Sequence, residues 1–203
     1  MPSIKRRRDL PSYHHYSRYK PYLRIDFCHR CCYCGVCESD LGGSRRFAVD
    51  HFRPKSWPEF AELVTSYSNL YYACDTCNTY KSDVWPSPAE QAQGFRFWDA
   101  CQDLSKDHFV FRRNSGEAVP LTVCAKYTDR IVRINREVVR KMRIQRLERI
   151  ELYRKALRIT REYEAQLPTI LEPLKRQMVE AGIQFNRRVI EEMRPRLIRA
   201  MDS

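Results

Sequence analysis

The chain has 203 residues, 43% hydrophobic and 31% charged, with a formal net charge of +12. Such a length allows one sizeable core, or a small module with a helical companion, and no run of about 18 apolar residues argues for a membrane span. The basic start Met1–Asp9 lacks the apolar stretch of a signal peptide, so a cytoplasmic setting is expected, in which nine cysteines point to metal binding and free thiols rather than disulfides.

The charge is uneven. Residues 1–30 carry eight Lys/Arg against two acids, residues 31–125 nine against twelve, and residues 126–203 twenty against eleven. A mildly acidic middle between basic flanks suits a polyanion such as nucleic acid, although an arginine-rich helix surface can also be solubilising alone. Charge and motifs together divide the chain into a basic aromatic arm (1–26), a central module (27–86), a hairpin extension (87–125) and a basic helical region (126–203).

The arm mixes tyrosines with cations, from Lys5–Arg8 through Tyr13, Tyr16, Arg18, Tyr19 and Lys20. This pattern serves either base stacking with phosphate pairing or packing of the rings on the next module. His14 and His15 have no partner at ligand spacing and are expected in solvent.

In the central module, Cys31/Cys34 and Cys74/Cys77 form two Cys-x-x-Cys pairs, the combination that closes a tetrahedral structural zinc site. Cys28/Cys31 and Cys34/Cys37 share the spacing, but only Cys34 is followed by glycine, Gly35. Gly35 and Asn78 both tolerate the left-handed backbone such turns tend to need. Cys28, Cys32, Cys37, Cys101 and Cys124 are then spare thiols. Phe47-Ala48-Val49 reads as a strand delivering Asp50 and His51, with Pro54 breaking it. Residues 59–66 suit a short helix, and a further helix is expected to begin at Asn78.

Beyond it, Phe95, Phe97 and Trp98 are expected to cap the core, and 108–111 with 118–121 to form a hairpin around Asn114–Glu117. His108 reads as a structural residue on an apolar strand. Helical spacing then runs from about Thr128, capped by Thr128 or Asp129, to Leu167, limited by Pro168. Further helices are expected over 169–181, ended by Gly182, and 184–201, disturbed by Pro195.

The chemistry follows from residue types. An imidazole titrates near neutrality, so His51 suits a general base. A divalent cation would stabilise charge building on a phosphate, and the amide oxygen of Asn78 suits a hard ion. Neighbours on a strand point to opposite faces, so Asp50 and His51 serve one site only if the chain re-aims one of them.

The run Arg30-Cys31-Cys32-Tyr33-Cys34-Gly35, then Val49-Asp50-His51 with Pro54, then Asn69-Leu70 through Cys74, Cys77, Asn78 and Lys81, resembles the McrA-like, zinc-stabilised branch of HNH endonucleases. The resemblance implies an α+β fold: a ββα-metal HNH finger stabilised by a four-cysteine zinc site, with a C-terminal helical region. It implies His51 as general base, Asp50 and Asn78 as ligands of a catalytic Mg²⁺ or Mn²⁺, and Asn69 orienting the base through backbone contacts. Cys31, Cys34, Cys74 and Cys77 would hold Zn²⁺. Lys81 is expected to touch phosphate, with Lys55 and Arg53 as further nucleic-acid contacts. Where some members have a third metal ligand, this chain offers Ser82 or Asp83. The lead-in Leu23–Phe27, the segment Gly116–Pro120 and the helix from Asp129 resemble Septu-type and retron-associated anti-phage effectors, which work beside an ATPase partner. The expected activity is metal-dependent cleavage of nucleic acid, DNA favoured, with an ATPase subunit or a second copy as possible partner. The rival is a non-catalytic zinc-ribbon or ATPase-docking subunit.

Overall fold

The computed structural model describes residues 4–197. The chain divides into two compact units, one running to Ile144 and one from Gln145, so the sequence boundaries after residues 26, 86 and 125 fall inside the first unit.

The N-terminal segment packs on the module. Arg6 donates to the carbonyls of Tyr67 (2.7 Å) and Leu70 (2.9 Å) and lies 4.5 Å from the centre of the Tyr71 ring. Arg7 pairs with the buried Asp26 at 2.7 Å. A 3-10 turn, Tyr16–Tyr19, leads into α1 (Lys20–Asp26), with Pro21 in the first turn, where its missing N–H leaves no bond unmade. Leu23 and Phe27, four residues apart, are both buried because that spacing puts them on one face. His14 and His15 are exposed, as expected.

Strand β1 (Phe47–His51) pairs antiparallel with β2 (Leu70–Cys74), Phe47 opposite Cys74 and His51 opposite Leu70. The connection holds a 3-10 turn at Pro58–Leu63, near the short helix expected there. All five residues of β2 are buried. Phe47 stacks on Tyr72 and Phe52 on Tyr71, each at 4.8 Å between ring centres. Leu23, Leu70 and Phe97 are fully buried, each worth about 1.5–3 kcal/mol relative to an exposed side chain.

Helix α2 (Asp75–Lys81) begins three residues before the expected start at Asn78, with Asp75 in the first turn, where a negative charge complements the helix dipole. Next come α3 (Pro88–Ala92), opened by a Ser87/Glu90 capping box, and α4 (Ser105–His108). The expected hairpin follows as β3 (Phe109–Arg112) and β4 (Glu117–Pro120). His108 ends α4 instead of lying on the strand. Gly116 has φ +66°, and a Cβ there would collide with the Arg140 carbonyl oxygen. Phe97 and Trp98 are buried in the core, and Phe95 packs against it.

The long helix expected from Thr128 is two helices, α5 (Val123–Val132) and α6 (Glu137–Gln166), broken where Arg133 turns left-handed at φ +53°. The cap of α5 is Thr122, not Thr128 or Asp129: its hydroxyl accepts from the Ala125 N–H at 3.4 Å. Thr128 is buried within α5 and donates to the Cys124 carbonyl at 2.8 Å. Pro168 does limit α6, sitting in a 3-10 turn at Leu167–Thr169. The two helices expected around Gly182 are one, α7 (Pro173–Leu197); an internal glycine costs a helix only about 1 kcal/mol. The end of the expected 184–201 helix lies outside the described residues. Within the second unit, Tyr153, Thr160 and Ile183 are buried, and Arg187 pairs with Glu164 at 2.6 Å. No helix among the described residues is long and apolar enough to cross a membrane.

Candidate active site

Two constellations sit side by side on β1, β2 and α2. The first is the cysteine cluster. The Sγ atoms of Cys31, Cys34, Cys74 and Cys77 lie within 4.8 Å of one another, and all four residues are buried. The Cys31–Cys34 knuckle closes as a tight turn: the Gly35 N–H donates to the Cys31 carbonyl at 3.0 Å, with Gly35 at φ +72°. The second pair is built differently. Cys74 ends β2 and Cys77 lies in the first turn of α2, so the helix sets the sulfur spacing. Asn78 is therefore helical, not left-handed, which corrects the turn expected there.

Burial works against charge on these thiols, yet hydrogen bonds from Cys32, Cys34, Cys74 and Cys77 hold Cys31 well below the usual thiol range. An all-sulfur, enclosed set of four fits a structural zinc ion. The sequence reading missed the cation beside it. Arg136 Nη2 donates to Cys77 Sγ at 3.3 Å, and Arg143 Nη2 to the Cys34 carbonyl at 3.0 Å. Four thiolates around one Zn²⁺ would leave net negative charge, which Arg136 is placed to offset.

The second constellation is a cleft of about 590 Å³ whose walls include Asp50, His51, Asn78, Lys55 and Asp83, with Tyr16 and Lys20 from the N-terminal segment. Asp50 and His51 both line it, and both are buried at the end of β1. The strand alternation stops there: Phe52 N–H still bonds the Asn69 carbonyl at 2.9 Å, but Pro54 prevents further pairing.

His51 Nε2 lies 2.9 Å from the Val64 carbonyl. A carbonyl only accepts, so Nε2 carries the proton and Nδ1 holds the lone pair. Burial lowers the imidazole's pKa below its ordinary value, while the Val64 carbonyl and Asp50 pull the other way. The Tyr16 ring packs edge-on against it at 4.6 Å.

Asn69 is the brace behind this. Its Oδ1 accepts from the Arg53 N–H at 2.8 Å, and its Nδ2 donates to the carbonyls of Arg53 (3.0 Å) and Leu63 (3.3 Å). One buried amide thus pins both ends of the loop whose Val64 carbonyl holds His51.

Asp50 accepts from the Tyr33 hydroxyl at 2.5 Å and takes a longer contact from Lys81 at 3.4 Å. Each oxygen keeps acceptor capacity. Together with the Asn78 amide oxygen on α2, this is a hard-donor set that fits a divalent cation.

Lys81 departs from expectation. It is 0% exposed, donates to the His51 carbonyl at 2.7 Å and sits 5.6 Å from the centre of the Phe97 ring. A side chain so enclosed cannot reach a phosphate; it ties α2 to the end of β1. The helical period carried the signal, since Lys81 lies four residues after the buried Cys77 on the same inner face. Lys55 is exposed on the cleft wall, 3.3 Å from the Tyr16 hydroxyl. Arg53 is exposed but opens on a neighbouring hollow with Asn69 and Gln102. Lys20, read in sequence only as part of the arm's mixed pattern, supplies a second cleft cation.

Residues 34–83 match the family model of the HNH endonuclease. The matched stretch takes in Asp50, His51, Asn69 and Asn78 with three of the four clustered cysteines; Cys31 precedes it. The chain is also similar to the Septu protein PtuB of Bacillus mycoides (strain KBAB4), 26% identical over 101 residues, which cover 39% of this chain and 34% of that protein. The match thus spans about a third of that relative's length. No solved structure matches.

Proposed function

We propose that the protein is a metal-dependent HNH endonuclease that hydrolyses phosphodiester bonds, DNA before RNA, and acts in defence as the likeness to a Septu protein suggests. The observation that carries this is the shared cleft: His51, Asp50 and Asn78 line one hollow, and Asn69 braces the loop whose carbonyl orients the His51 ring. In this reading β1, β2 and α2 form a ββα-metal finger, and the cysteine cluster is its structural zinc site.

His51 accepts a proton from water at Nδ1 as the water oxygen bonds to phosphorus. The bond from phosphorus to the leaving sugar oxygen breaks, and that oxygen is protonated from solvent. A divalent cation held by Asp50 and Asn78 would offset charge on the phosphate and on the leaving oxygen. Lys55 and Lys20 draw the phosphate backbone to the cleft, and Lys81 keeps the end of β1 in place.

Supercoiled plasmid incubated with Mg²⁺ or Mn²⁺ tests this. Nicking is expected from the unaltered chain, and His51→Ala is expected to slow it about 10²–10⁴-fold with zinc content preserved. Nicking by that variant at the original rate overturns the assignment of the base. The pH profile adds a signed check. Because burial lowers the His51 pKa, the reactive neutral ring persists below the ordinary histidine value of about 6.5. The acid limb should lie under that value, and a limb above it contradicts the geometry.

A docking role beside an ATPase is the second reading, favoured by one observation. Leu171, Leu174, Met178 and Phe185 are exposed, Leu171 by 92%, which suits a surface covered by a partner. Capture of a co-encoded ATPase by the full chain, lost on Leu174→Ser with Met178→Ser, would support it.

A further inference from the structure

Away from the cleft, the first unit gathers three side chains that the nuclease reading does not use. One donor atom each from Asp103, His108 and Cys124 lies within 4.8 Å of the other two, although the residues come from a loop, the end of α4 and the first turn of α5. His108 stands between its neighbours. Its Nδ1 is 3.1 Å from Cys124 Sγ and 2.7 Å from Thr122 Oγ1, and its Nε2 is 3.7 Å from Asp103 Oδ1.

Asp103 is held from behind. Arg96 forks onto it, Nη1 to Oδ2 at 2.6 Å and Nη2 to Oδ1 at 2.9 Å, and the Asp99 N–H adds a bond to Oδ2 at 2.9 Å. Oδ2 therefore receives two donors and Oδ1 one. A lone pair remains on Oδ1, the oxygen nearest His108.

We propose that this trio is a second metal site, separate from the four-cysteine cluster, taking Zn²⁺ or a divalent ion of similar softness. Its ligands are Cys124 Sγ, one ring nitrogen of His108 and Asp103 Oδ1, with Thr122 Oγ1 or water completing four. The donors decide the ion class: thiolate and imidazole suit zinc and disfavour magnesium or calcium, which prefer oxygen. Zinc–ligand bonds of about 2.0–2.3 Å imply donor separations of roughly 3.3–3.6 Å in a tetrahedron, so the trio needs to close by about an ångström at its widest. Arg96 behaves as the outer partner that aims a ligating carboxylate. The ion would fasten α4, and the hairpin that follows it, to the start of α5.

Metal content of the full chain after exhaustive dialysis tests the site without nucleic acid, so its failure leaves the nuclease reading untouched. Two zinc ions per chain are expected, falling to one in Cys124→Ser and in His108→Ala. One zinc in the unaltered chain overturns the proposal, as does a count of two that neither variant lowers, because the trio is then a hydrogen-bonded latch only. Should the variants fail to fold, the unaltered chain loaded with ¹¹³Cd decides. Two resonances are expected, one from an all-sulfur site and one from a mixed sulfur, nitrogen and oxygen site; a single all-sulfur resonance refutes the second site.

Discussion

The unit that ends at Ile144 buries Asp26, Glu38, Asp50, Asn69 and Lys81, whereas from Gln145 onward the described chain leaves Leu152, Leu171, Leu174 and Met178 exposed. Each of these five polar side chains has a partner. Glu38, for instance, receives the Tyr72 hydroxyl at 2.5 Å and Arg24 at 2.8 Å. Removing one member of such a set strands the other, at about 3–5 kcal/mol for a charge. The second unit has few such commitments. Shape in the first unit is thus over-determined, which the proposed catalytic cleft requires, while the second unit offers surface.

The hardest blow to the first unit should be Cys74→Ser. Loss of the proposed structural zinc would forfeit folding free energy of about 10 kcal/mol or more, so zinc content and the thermal transition should fall together. A soluble, zinc-free and active variant would break the contrast. Asn69→Ala comes next. It strips three hydrogen bonds from a buried loop, a destabilisation of about 1–3 kcal/mol for each backbone group left unsatisfied. Plasmid nicking should fall through kcat more than KM, because the His51 ring loses its rest. Gly116→Ala should cost about 1–3 kcal/mol, combining a positive φ with a clash against Arg140, read as a lower midpoint in urea. Leu174→Ser should change stability by less than about 0.5 kcal/mol. A large loss there would show that the exposed apolar surface is structural.

What could be read from sequence was local. The Cys-x-x-Cys spacings, Gly35 after the first knuckle and the turn around Asn114–Glu117 are set by residues a few positions apart, and each formed. Asn69 was legible as a brace because the resemblance supplied its role, but the loop carbonyl it serves, Val64, was not. Lys81 was misplaced because lysine is taken for a surface cation. Its inward aim comes from the α2 register together with the carboxylate and carbonyl waiting for it. His108 read as solitary because Asp103 and Cys124 approach it only after the hairpin folds back. The break at Arg133 was hidden in apolar spacing that continues across it, since a single left-handed residue leaves little trace in periodicity.

The rings and carbonyls that clasp Arg6 bear on how the protein should respond to ionic strength. A partly buried guanidinium held against aromatic faces is screened less by dissolved ions than an exposed charge. Phosphate contacts made by Lys20 and Lys55 would be progressively lost as counterions compete. In the proposed nuclease, raising the salt should therefore release nucleic acid from the cleft well before it loosens the N-terminal segment, leaving the fold intact and ready to rebind on dilution.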